Sequence, residues 1–371
     1  MRTNFLSQEN IFLDNGLFEI KINTYINSNL NNRMFAIQSF SSLIENSNAN
    51  LSNTSKDLLN GLKIFHENQW YICGNLAMSE GQLPHKFINS APTDLDYQLL
   101  VKAALLLVSD SVEQPLTITT GFPYSTYRIY KDMATEFLRK THIIEFDAST
   151  YSNSGKRSVI LDVQNVEVIP EIVGCTIALR KGEYQAEGNF FVLSCGFGTF
   201  ESVLSMESGI VEQTMVSTHG LKYAVNMMMS ELEKSHYLGF RNAHLMDEAF
   251  QKGYIILNRK NVDLREIRRN VLRSYYNEVI SPNLRNVITD ANLMKSNKVY
   301  LCGGAMLYQD LVECFKNEFG EIAQLEFVTD PASLASKGYT LNSLRVSGGK
   351  KQSSVGLDIG NATTVVTRLT E

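Results

Sequence analysis

Four residues near the start of the sequence have the types and spacing of a phosphate-binding turn. Asp14, Asn15 and Gly16 follow a short apolar run, and Lys21 lies on the next apolar segment. Backbone amides at such a turn can receive phosphate oxygens, and the carboxylate can hold a hydrated Mg²⁺ through its waters. The lysine would add a positive charge near the outer phosphates. An ordinary Asn-Gly hairpin turn explains the same residues, so both interpretations stay open for this N-terminal turn, residues 14–16.

A second turn with phosphate-binding character lies near the end of the sequence, in LDIGNATT. We name residues 358–364 the tail turn. Its candidate nucleotide contacts are Asp358, Gly360, Asn361, Thr363 and Thr364. Three interpretations are open: a duplicated hairpin on a flexible linker, a permuted or swapped strand pair that supplies the real phosphate turn in this chain or in a neighbouring subunit, or an edge hairpin that only resembles the motif. Because an isolated hairpin is marginally stable in water, this one should dock on a sheet edge.

Glycine-bearing turns also follow two predicted strands in the second half of the sequence. One is SCGFGT, residues 194–199, which we name the mid-chain turn, and the other is GGA, between a strand and a helix. Glycines let the backbone lie close to a phosphate or a ring, and a helix N-terminus favours negative charge. Together with the segment HGLK, these turns supply the candidate nucleotide contacts Ser194, Gly196, Gly198, Thr199, Gly220, Lys222, Gly303, Gly304 and Ala305. Tight structural turns and a surface lysine are the alternatives.

Glu171 is a candidate catalytic residue because of its position in the chain. It follows Pro170 at the end of the predicted strand VILDVQNVEVIP. A carboxylate that faces a cleft at this point could orient a water molecule for attack on a terminal phosphate. Proline at the first position of a helix and an acid in its first turn are also typical of an ordinary helix start, so a capping role is the alternative.

Composition indicates a globular protein and excludes several other classes. At roughly 100–200 residues per domain, 371 residues allow two or three domains. With 44% hydrophobic and 20% charged residues, disorder, collagen and coiled coil are excluded as the main state, and the net charge of −5 does not favour non-specific nucleic-acid binding. Five scattered cysteines without a C-x-x-C pair predict reduced thiols and no zinc site. The lack of a signal-peptide pattern and of an apolar run of about 18 residues predicts a cytoplasmic protein without a membrane contact.

The pattern of apolar runs predicts a weak internal repeat. Residues 10–45 predict three successive antiparallel strands, and FFVLSCGFGTFESVLSMESGIVEQTMV predicts a second meander. Helices and short buried strands follow each meander, and helical spacing covers much of residues 261–295 with a break near Pro282. A last short helix should end near Gly338, before the linker VSGGKKQSS. Such a repeat predicts two α/β domains that face each other across a cleft.

Taken in order along the chain, these motifs resemble the actin-like ATPases, and in particular the bacterial plasmid-segregation actins of the ParM/StbA type. The order is FLDNGLFEIK, TITTGFP, VIPE, VLSCGFGTFES, HGLK, VYLCGGA and FVTDPASLASKGY. Each motif is loose, but their order and spacing over roughly residues 10–345 are specific. The resemblance implies an α/β protein with the actin-like ATPase fold, in which two RNase H-like domains, each a mixed five-stranded sheet with helices, enclose a nucleotide cleft.

The resemblance also implies domain boundaries, ligands and roles. Residues 1–170 and 171–345 would form the two domains, and residues 346–371 a linker with the phosphate-turn-like hairpin. ATP or ADP with Mg²⁺ would bind between the domains, where Asp14 would organise the Mg²⁺ shell and Glu171 would position the attacking water. Hydrolysis would drive the dynamics of filaments made of this chain. The filaments would segregate plasmids or position other cargo through a DNA-binding adaptor, without direct contact to nucleic acid.

Two departures from the family pattern leave alternatives open. The mid-chain turn usually begins with Asp, where this chain has Ser194, and Phe197 stands where small residues are usual. A hydroxyl does not replace the charge of a carboxylate near Mg²⁺, so a nucleotide-binding scaffold with little hydrolysis is one alternative, and a small-molecule kinase of the same fold is another. The tail turn is the second departure, because it lies beyond the point where the family normally ends.

Overall fold

The structure, a computed structural model, describes residues 34–85, 90–238 and 243–370. The strands of these residues form a nine-stranded, a five-stranded and a two-stranded sheet. Numbered in chain order, the strands are β1 Phe35–Ser41, β2 Ile44–Asn46, β3 Lys63–His66, β4 Gln69–Cys73, β5 Leu116–Phe122, β6 Thr141–Asp147, β7 Lys156–Pro170, β8 Phe190–Cys195, β9 Thr199–Met206, β10 Gly209–His219, β11 Tyr254–Leu257, β12 Lys260–Asp263, β13 Lys298–Cys302, β14 Gln324–Phe327, β15 Ser354–Ile359 and β16 Thr363–Leu369.

Helices connect these strands. Numbered in the same way, the α-helices are α1 Gly74–Glu80, α2 Leu95–Val108, α3 Tyr124–Leu138, α4 Glu171–Lys181, α5 Lys222–Glu233, α6 Ala243–Lys252, α7 Arg265–Tyr275, α8 Ser281–Val287, α9 Asp290–Leu293, α10 Gln309–Phe319 and α11 Leu334–Val346. Short 3-10 turns cover Ser109–Ser111, Ala148–Thr150 and Gly304–Leu307, and a π-helical turn covers Tyr276–Ile280. Within the described part of the chain, no helix is both long and apolar enough to cross a bilayer.

One side of the nine-stranded sheet combines strands from opposite ends of the described chain. Its order is β1-β16-β15-β5-β7-β6-β3-β4-β2. Strand β16 runs antiparallel to β1, with Phe35 opposite Leu369, and β15 runs parallel to β5, with Leu357 opposite Thr120. The tail hairpin, residues 354–369, therefore lies between two strands of its own chain. Of the three interpretations of the tail, this arrangement agrees with a permuted strand pair within one chain, and the expected docking at a sheet edge is not observed.

The end of β16 lies beside the start of β1. Thr370 N donates a hydrogen bond to Met34 O over 3.1 Å, so a short loop could join these two strands as a hairpin. In the order β15, β16, β1, the strands form an antiparallel meander, but only β1 belongs to the meander predicted for residues 10–45, and the tail supplies the other two strands. The predicted strands NIFLDNG and LFEIKINTYI lie outside the described residues.

The first sheet has nine strands and not the expected five, because the long strand β7 extends it. Residues 163–170 of β7 pair with β5, and residues 156–162 pair with β6. Because β7 belongs to both ladders, the five strands β1-β16-β15-β5-β7 continue into β6-β3-β4-β2. Apolar side chains of these strands and of α2 form one hydrophobic core beneath the tail hairpin.

The five-stranded sheet has the same arrangement as five neighbouring strands of the nine-stranded sheet, β1, β16, β15, β5 and β7. Its order is β10-β9-β8-β13-β14, in which β8, β9 and β10 form an antiparallel meander and β13 runs parallel to β8 and β14. The predicted second meander is therefore confirmed. Both sheets are mixed, and in each a glycine turn follows the first strand of the meander: the tail turn follows β15 and the mid-chain turn follows β8.

Helices α4 and α11 cross at two glycines. A Cβ atom on Gly338 would lie 1.8 Å from the carbonyl oxygen of Gly174, so no side chain fits at this crossing. Gly338 lies inside α11, which continues to Val346, and the expected end of a helix near Gly338 is wrong. The close approach of two helix backbones explains this glycine, whereas the sequence pattern indicated a helix end.

The segment over residues 261–295 is more continuous than the sequence indicates. Its first residues belong to β12, and α7 then passes through the π-helical turn directly into α8. Pro282 lies at the start of α8, directly after the π-helical turn, and a proline inside a continuous helix removes one backbone hydrogen bond and disturbs the regular α-helical pattern. The expected break near Pro282 is therefore a local change of helix type.

Candidate functional site

Three parallel strands of the nine-stranded sheet end at one edge. Strand β15 lies beside β5, and β5 lies beside β7, all in the same direction. The tail turn follows β15, Gly121 and Phe122 end β5, and Glu171 follows β7 as the first residue of α4. Because the carboxyl ends of parallel strands meet at one edge of a sheet, the fold brings the tail turn and Glu171 to the same place.

Ser42, just after β1, holds the backbone of the tail turn. Its hydroxyl donates to Gly360 O over 2.8 Å and lies 2.9 Å from the hydroxyl oxygen of Thr364. Its amide donates to Ala362 O over 2.9 Å. No local sequence pattern marks Ser42, because its partner Gly360 is 318 residues away in the chain.

The mid-chain turn packs against the start of α5. Gly196 N donates to Thr199 O over 2.9 Å, which closes the turn itself. Leu221 N donates to Gly196 O over 3.0 Å, and Lys222 N donates to Phe197 O over 2.9 Å. The segments SCGFGT and HGLK, which the sequence indicates as separate contacts, therefore form one cluster held by backbone hydrogen bonds.

The glycine turn after β13 lies beside the mid-chain turn. Cys302 of β13 is the parallel neighbour of Ser194 in β8. Gly303 has a φ of 89°, and a Cβ atom there would lie 2.4 Å from Cys195 O, so only glycine fits. At Gly304, no other atom of the described residues lies within 4 Å of such a Cβ. Gly303 therefore serves packing, while Gly304 faces open space in which a ligand could lie.

Acidic side chains from both sheets meet between these turns. Burial raises the pKa of Glu171 well above its usual range, and Asp358, Glu201 and Cys302 raise it further. Burial also raises the pKa of Glu201, on β9, to about 7, although hydrogen bonds to its carboxyl act in the opposite direction. Because Asp358 belongs to the nine-stranded sheet and Cys302 to the five-stranded sheet, Glu171 interacts with the edges of both.

No protein-family model matches the chain, and no curated protein matches it. Solved structures do match. A non-polymerisable quadruple mutant of pCBH ParM aligns with a TM-score of 0.66 and 15% identity, over 83% of this chain and 92% of that chain. ParM in a 15-stranded filament from Clostridium botulinum aligns with a TM-score of 0.65 and 16% identity, over 82% and 92%. An archaeal actin homolog in complex with ADP aligns with a TM-score of 0.56 and 16% identity, over 85% and 90%.

The chain has the actin-like fold of the ParM type. The fold class expected from the sequence is confirmed. In this actin-like fold, the structure places most of the predicted site residues in the turns and strand ends that follow β7, β8, β10, β13 and β15. These residues are Glu171, Ser194, Gly196, Gly198, Thr199, Gly220, Lys222, Gly303, Gly304, Asp358, Gly360, Asn361, Thr363 and Thr364. The side chain of Ala305 instead packs into the core below. Asp14, Asn15, Gly16 and Lys21 lie outside the described residues.

Glu201 is a buried acid beside Glu171 that no sequence motif marks. It lies directly opposite Ser194 in the β8–β9 ladder and is 1% exposed. A glutamate is almost never fully buried unless it has partners. The available signal was a single charged residue inside the apolar strand TFESVLSM, but its burial is known only from the fold.

The carboxyl groups of the site suit a hydrated cation. Among the described residues, no three His, Cys, Asp or Glu side chains are grouped to ligate a metal directly. Asp358 raises the pKa of Glu171, which means that the two carboxylates repel each other, and a divalent cation would relieve this repulsion. Mg²⁺ usually keeps several waters and binds one or two carboxylates together with phosphate oxygens. This donor set fits Mg²⁺ better than a structural zinc ion.

Proposed function

We propose that this chain binds ATP or ADP with Mg²⁺ between the tail turn and the mid-chain turn and assembles into filaments. The observation that carries the proposal is the arrangement of two glycine turns, one from each mixed sheet, around the interacting acids Glu171 and Asp358. Backbone amides at such turns suit phosphate oxygens, and carboxylates beside them suit a hydrated cation. The similar fold of an archaeal actin homolog that binds ADP supports the choice of nucleotide.

In this proposal Asp358, and not Asp14, organises the Mg²⁺ shell. Asp358 raises the pKa of Glu171, so the charges of these two carboxyl groups interact. Ser42 holds the turn that follows Asp358. The N-terminal turn would need the same strand position beside β5, and β15 occupies that position.

The other groups of the site have roles that their positions support. Amides of the tail turn and of the mid-chain turn would hold the phosphates from two sides. The open space at Gly304 would admit the ribose or the base. Glu171 would orient the attacking water from the start of α4. When bound, Mg²⁺ would neutralise charge on the phosphate oxygens.

A scaffold with little hydrolysis is the second candidate, and one observation favours it. Burial and neighbouring acids raise the pKa of Glu171 well above its usual range, which favours the protonated form, and a protonated carboxyl accepts no further proton. Ser194 provides no negative charge at the start of the mid-chain turn. A nearby Mg²⁺ would lower the pKa of Glu171 and return it to the ionised form, so hydrolysis depends on how close the cation lies.

Assembly and cargo extend the proposal beyond the cleft. The fold that this chain shares with ParM, including ParM in a 15-stranded filament, supports self-assembly into filaments. The net charge of −5 favours attachment to DNA through an adaptor protein over direct binding to the phosphate backbone. Segregation of plasmid or other DNA is then the work that such filaments would do. Free thiols at all five cysteines agree with a reducing compartment such as the cytoplasm.

Paired aspartate variants test the proposal. The wild-type chain, Asp358→Asn and Asp14→Asn are followed by light scattering and pelleting with ATP and Mg²⁺, and binding is measured with a fluorescent ATP analogue. We expect the wild type and Asp14→Asn to bind and assemble alike. We expect Asp358→Asn to lose roughly ten-fold to 100-fold in affinity, because a charged partner of the phosphate–cation unit is removed. Far-UV circular dichroism checks that all three chains fold.

The outcomes separate the candidates. Weak binding in Asp14→Asn together with normal binding in Asp358→Asn would assign the phosphates to the N-terminal turn. Phosphate release in the same samples distinguishes the two candidates, because only the ATPase releases phosphate as it assembles. ATP binding without any pellet would contradict the filament proposal and make a small-molecule kinase the better account.

A further inference from the structure

Glu201 lies in the middle of a polar row that crosses the five-stranded sheet. It is the register partner of Ser194 in the β8–β9 ladder and of Ser217 in the β9–β10 ladder. Register partners share one face of a sheet, so two hydroxyls flank the carboxyl group. The proposed function gives this buried carboxyl no role.

The remaining partners of Glu201 are backbone amides of two helices that follow strands of the other sheet. Tyr124 N, at the start of α3, donates to Glu201 Oε1 over 2.5 Å. The amide of Ile172, in the first turn of α4, lowers the pKa of this carboxyl, as the Ser217 hydroxyl does, but the second oxygen of the carboxyl, Oε2, is buried without a hydrogen bond to the described residues. Since α3 follows β5 and α4 follows β7, one side chain of the five-stranded sheet reaches two helix starts of the nine-stranded sheet.

Both helices need an external acceptor because each begins after a proline. Helix α3 starts after Pro123 and α4 after Pro170, and neither of these described helix starts has a side-chain cap of its own. The first N–H groups of a helix normally bond to a Ser, Thr, Asp or Asn side chain, and proline has no side-chain acceptor. Glu201 supplies the missing acceptor to α3, and its negative charge near the start of α4 is favoured by the helix dipole.

The titratable groups around Glu201 are acids and thiols from several elements. Its direct electrostatic neighbours are Glu171 on α4 and Tyr339 on α11. Those two also interact with Asp358 on β15, Cys302 on β13 and Cys175 on α4. None of these named groups carries a positive charge. The amides at the helix starts and the hydroxyl of Ser217 therefore supply the stabilisation of the ionised carboxylate, against the cost of its burial.

We propose that Glu201 is a positioning residue of the five-stranded sheet that caps α3 by a hydrogen bond and holds its carboxylate charge beside the start of α4, where Glu171 lies. The inference rests on the proposed function only where it identifies the cleft as a nucleotide site. Strand β9 begins at the last residue of the mid-chain turn, so a movement of that turn is passed through Glu201 to both helix starts. The cap is strongest with the ionised carboxylate and weakens when the carboxyl is protonated.

Hydrogen–deuterium exchange of the full chain without nucleotide tests the cap. Glu201→Ala removes the acceptor, and Glu201→Gln keeps an acceptor but removes the charge. Glu212→Gln is the matched control, because exposed Glu212 also reaches α3, through an ion pair with Arg128 at 3.0 Å. We expect exchange at the amide of Tyr124 to rise about ten-fold in Glu201→Ala, which corresponds to the loss of one helix cap, to rise less in Glu201→Gln, and to stay unchanged in Glu212→Gln.

The pH dependence separates a capping carboxylate from a side chain that only fills space. In the wild type, protection of the Tyr124 amide, corrected for the intrinsic pH dependence of exchange, should fall as the pH drops below about 7. Glu201→Gln should lack this change, and this variant keeps the test informative where Glu201→Ala does not fold. Equal protection at pH 6 and pH 8 in the wild type would overturn the inference. Failure of the wild type to bind ATP, with the exchange results as expected, would instead refute the proposed function and leave the cap in place.

Discussion

A chain that ends at Arg345 loses β15 and β16, which lie between β1 and β5 in the nine-stranded sheet. Strand β1 loses the strand with which it pairs, and β5 loses its neighbour on one side. If the tail were only an accessory of the nucleotide site, this truncation would abolish binding and leave the fold intact. We expect instead that the truncated chain does not fold.

The buried side chains of the tail hairpin set the size of this effect. Five apolar side chains of the hairpin are at most 6% exposed: Val355, Leu357, Val365, Val366 and Leu369. Full burial of one valine or leucine contributes about 1.5–3 kcal/mol, so the five together contribute on the order of 10 kcal/mol. A folded protein is typically stable by only about 5–15 kcal/mol. The loss of this burial, together with two strand ladders, therefore removes most or all of the stability.

Far-UV circular dichroism and thermal unfolding of the purified truncated chain measure the loss. A relocated chain is the matched control: residues 352–370 are moved to follow residue 33 and are joined to Met34 by an Asn-Gly turn. Because Thr370 N already lies 3.1 Å from Met34 O, a two-residue turn can close this hairpin. We expect the relocated chain to unfold cooperatively within about 5 °C of the wild type.

Two results would refute this reasoning. A chain ending at Arg345 that keeps the wild-type spectrum and melting temperature would mean that the tail hairpin is not part of the sheet. A relocated chain that stays unfolded would mean that β16 and β1 are not adjacent in the way the strand register requires.

Two substitutions test individual contacts. Gly338→Ala places a methyl group 1.8 Å from the carbonyl oxygen of Gly174 and should destabilise the protein by about 3 kcal/mol in urea unfolding. Gly155→Ala, where no other described atom lies within 4 Å of the new methyl group, should change stability by less than about 0.5 kcal/mol, and equal effects of the two would contradict the packing argument. Burial raises the pKa of Asp247 from 3.8 to about 7, so the folded protein keeps a proton that the unfolded chain releases, and stability falls as the pH rises through this interval. Asp247→Asn should therefore gain on the order of 3 kcal/mol more at pH 8 than at pH 5, and a pH profile identical to that of the wild type would argue against this.

Several elements could be predicted because their contacts are local. The mid-chain meander alternates apolar runs with turn residues, and its strands β8, β9 and β10 pair with their sequence neighbours. The same holds for β13, its glycine turn and α10. Prediction failed where a residue type has two explanations. Gly338 is equally compatible with a helix end and with a helix crossing, and only the position of Gly174 decides between them.

The candidate site divides in the same way. The sequence by itself determined the chemical groups: glycine turns with hydroxyls, an acid at Glu171, and two Asp-bearing turns at opposite ends of the chain. Only the tertiary structure decided that the tail turn lies beside Glu171, that Ser42 holds it, and that Glu201 is buried between two helix starts. These facts depend on pairings such as Phe35 with Leu369, which bring together residues from opposite ends of the chain. Their free energy comes from the burial of whole sheet faces, and no short sequence window contains that information.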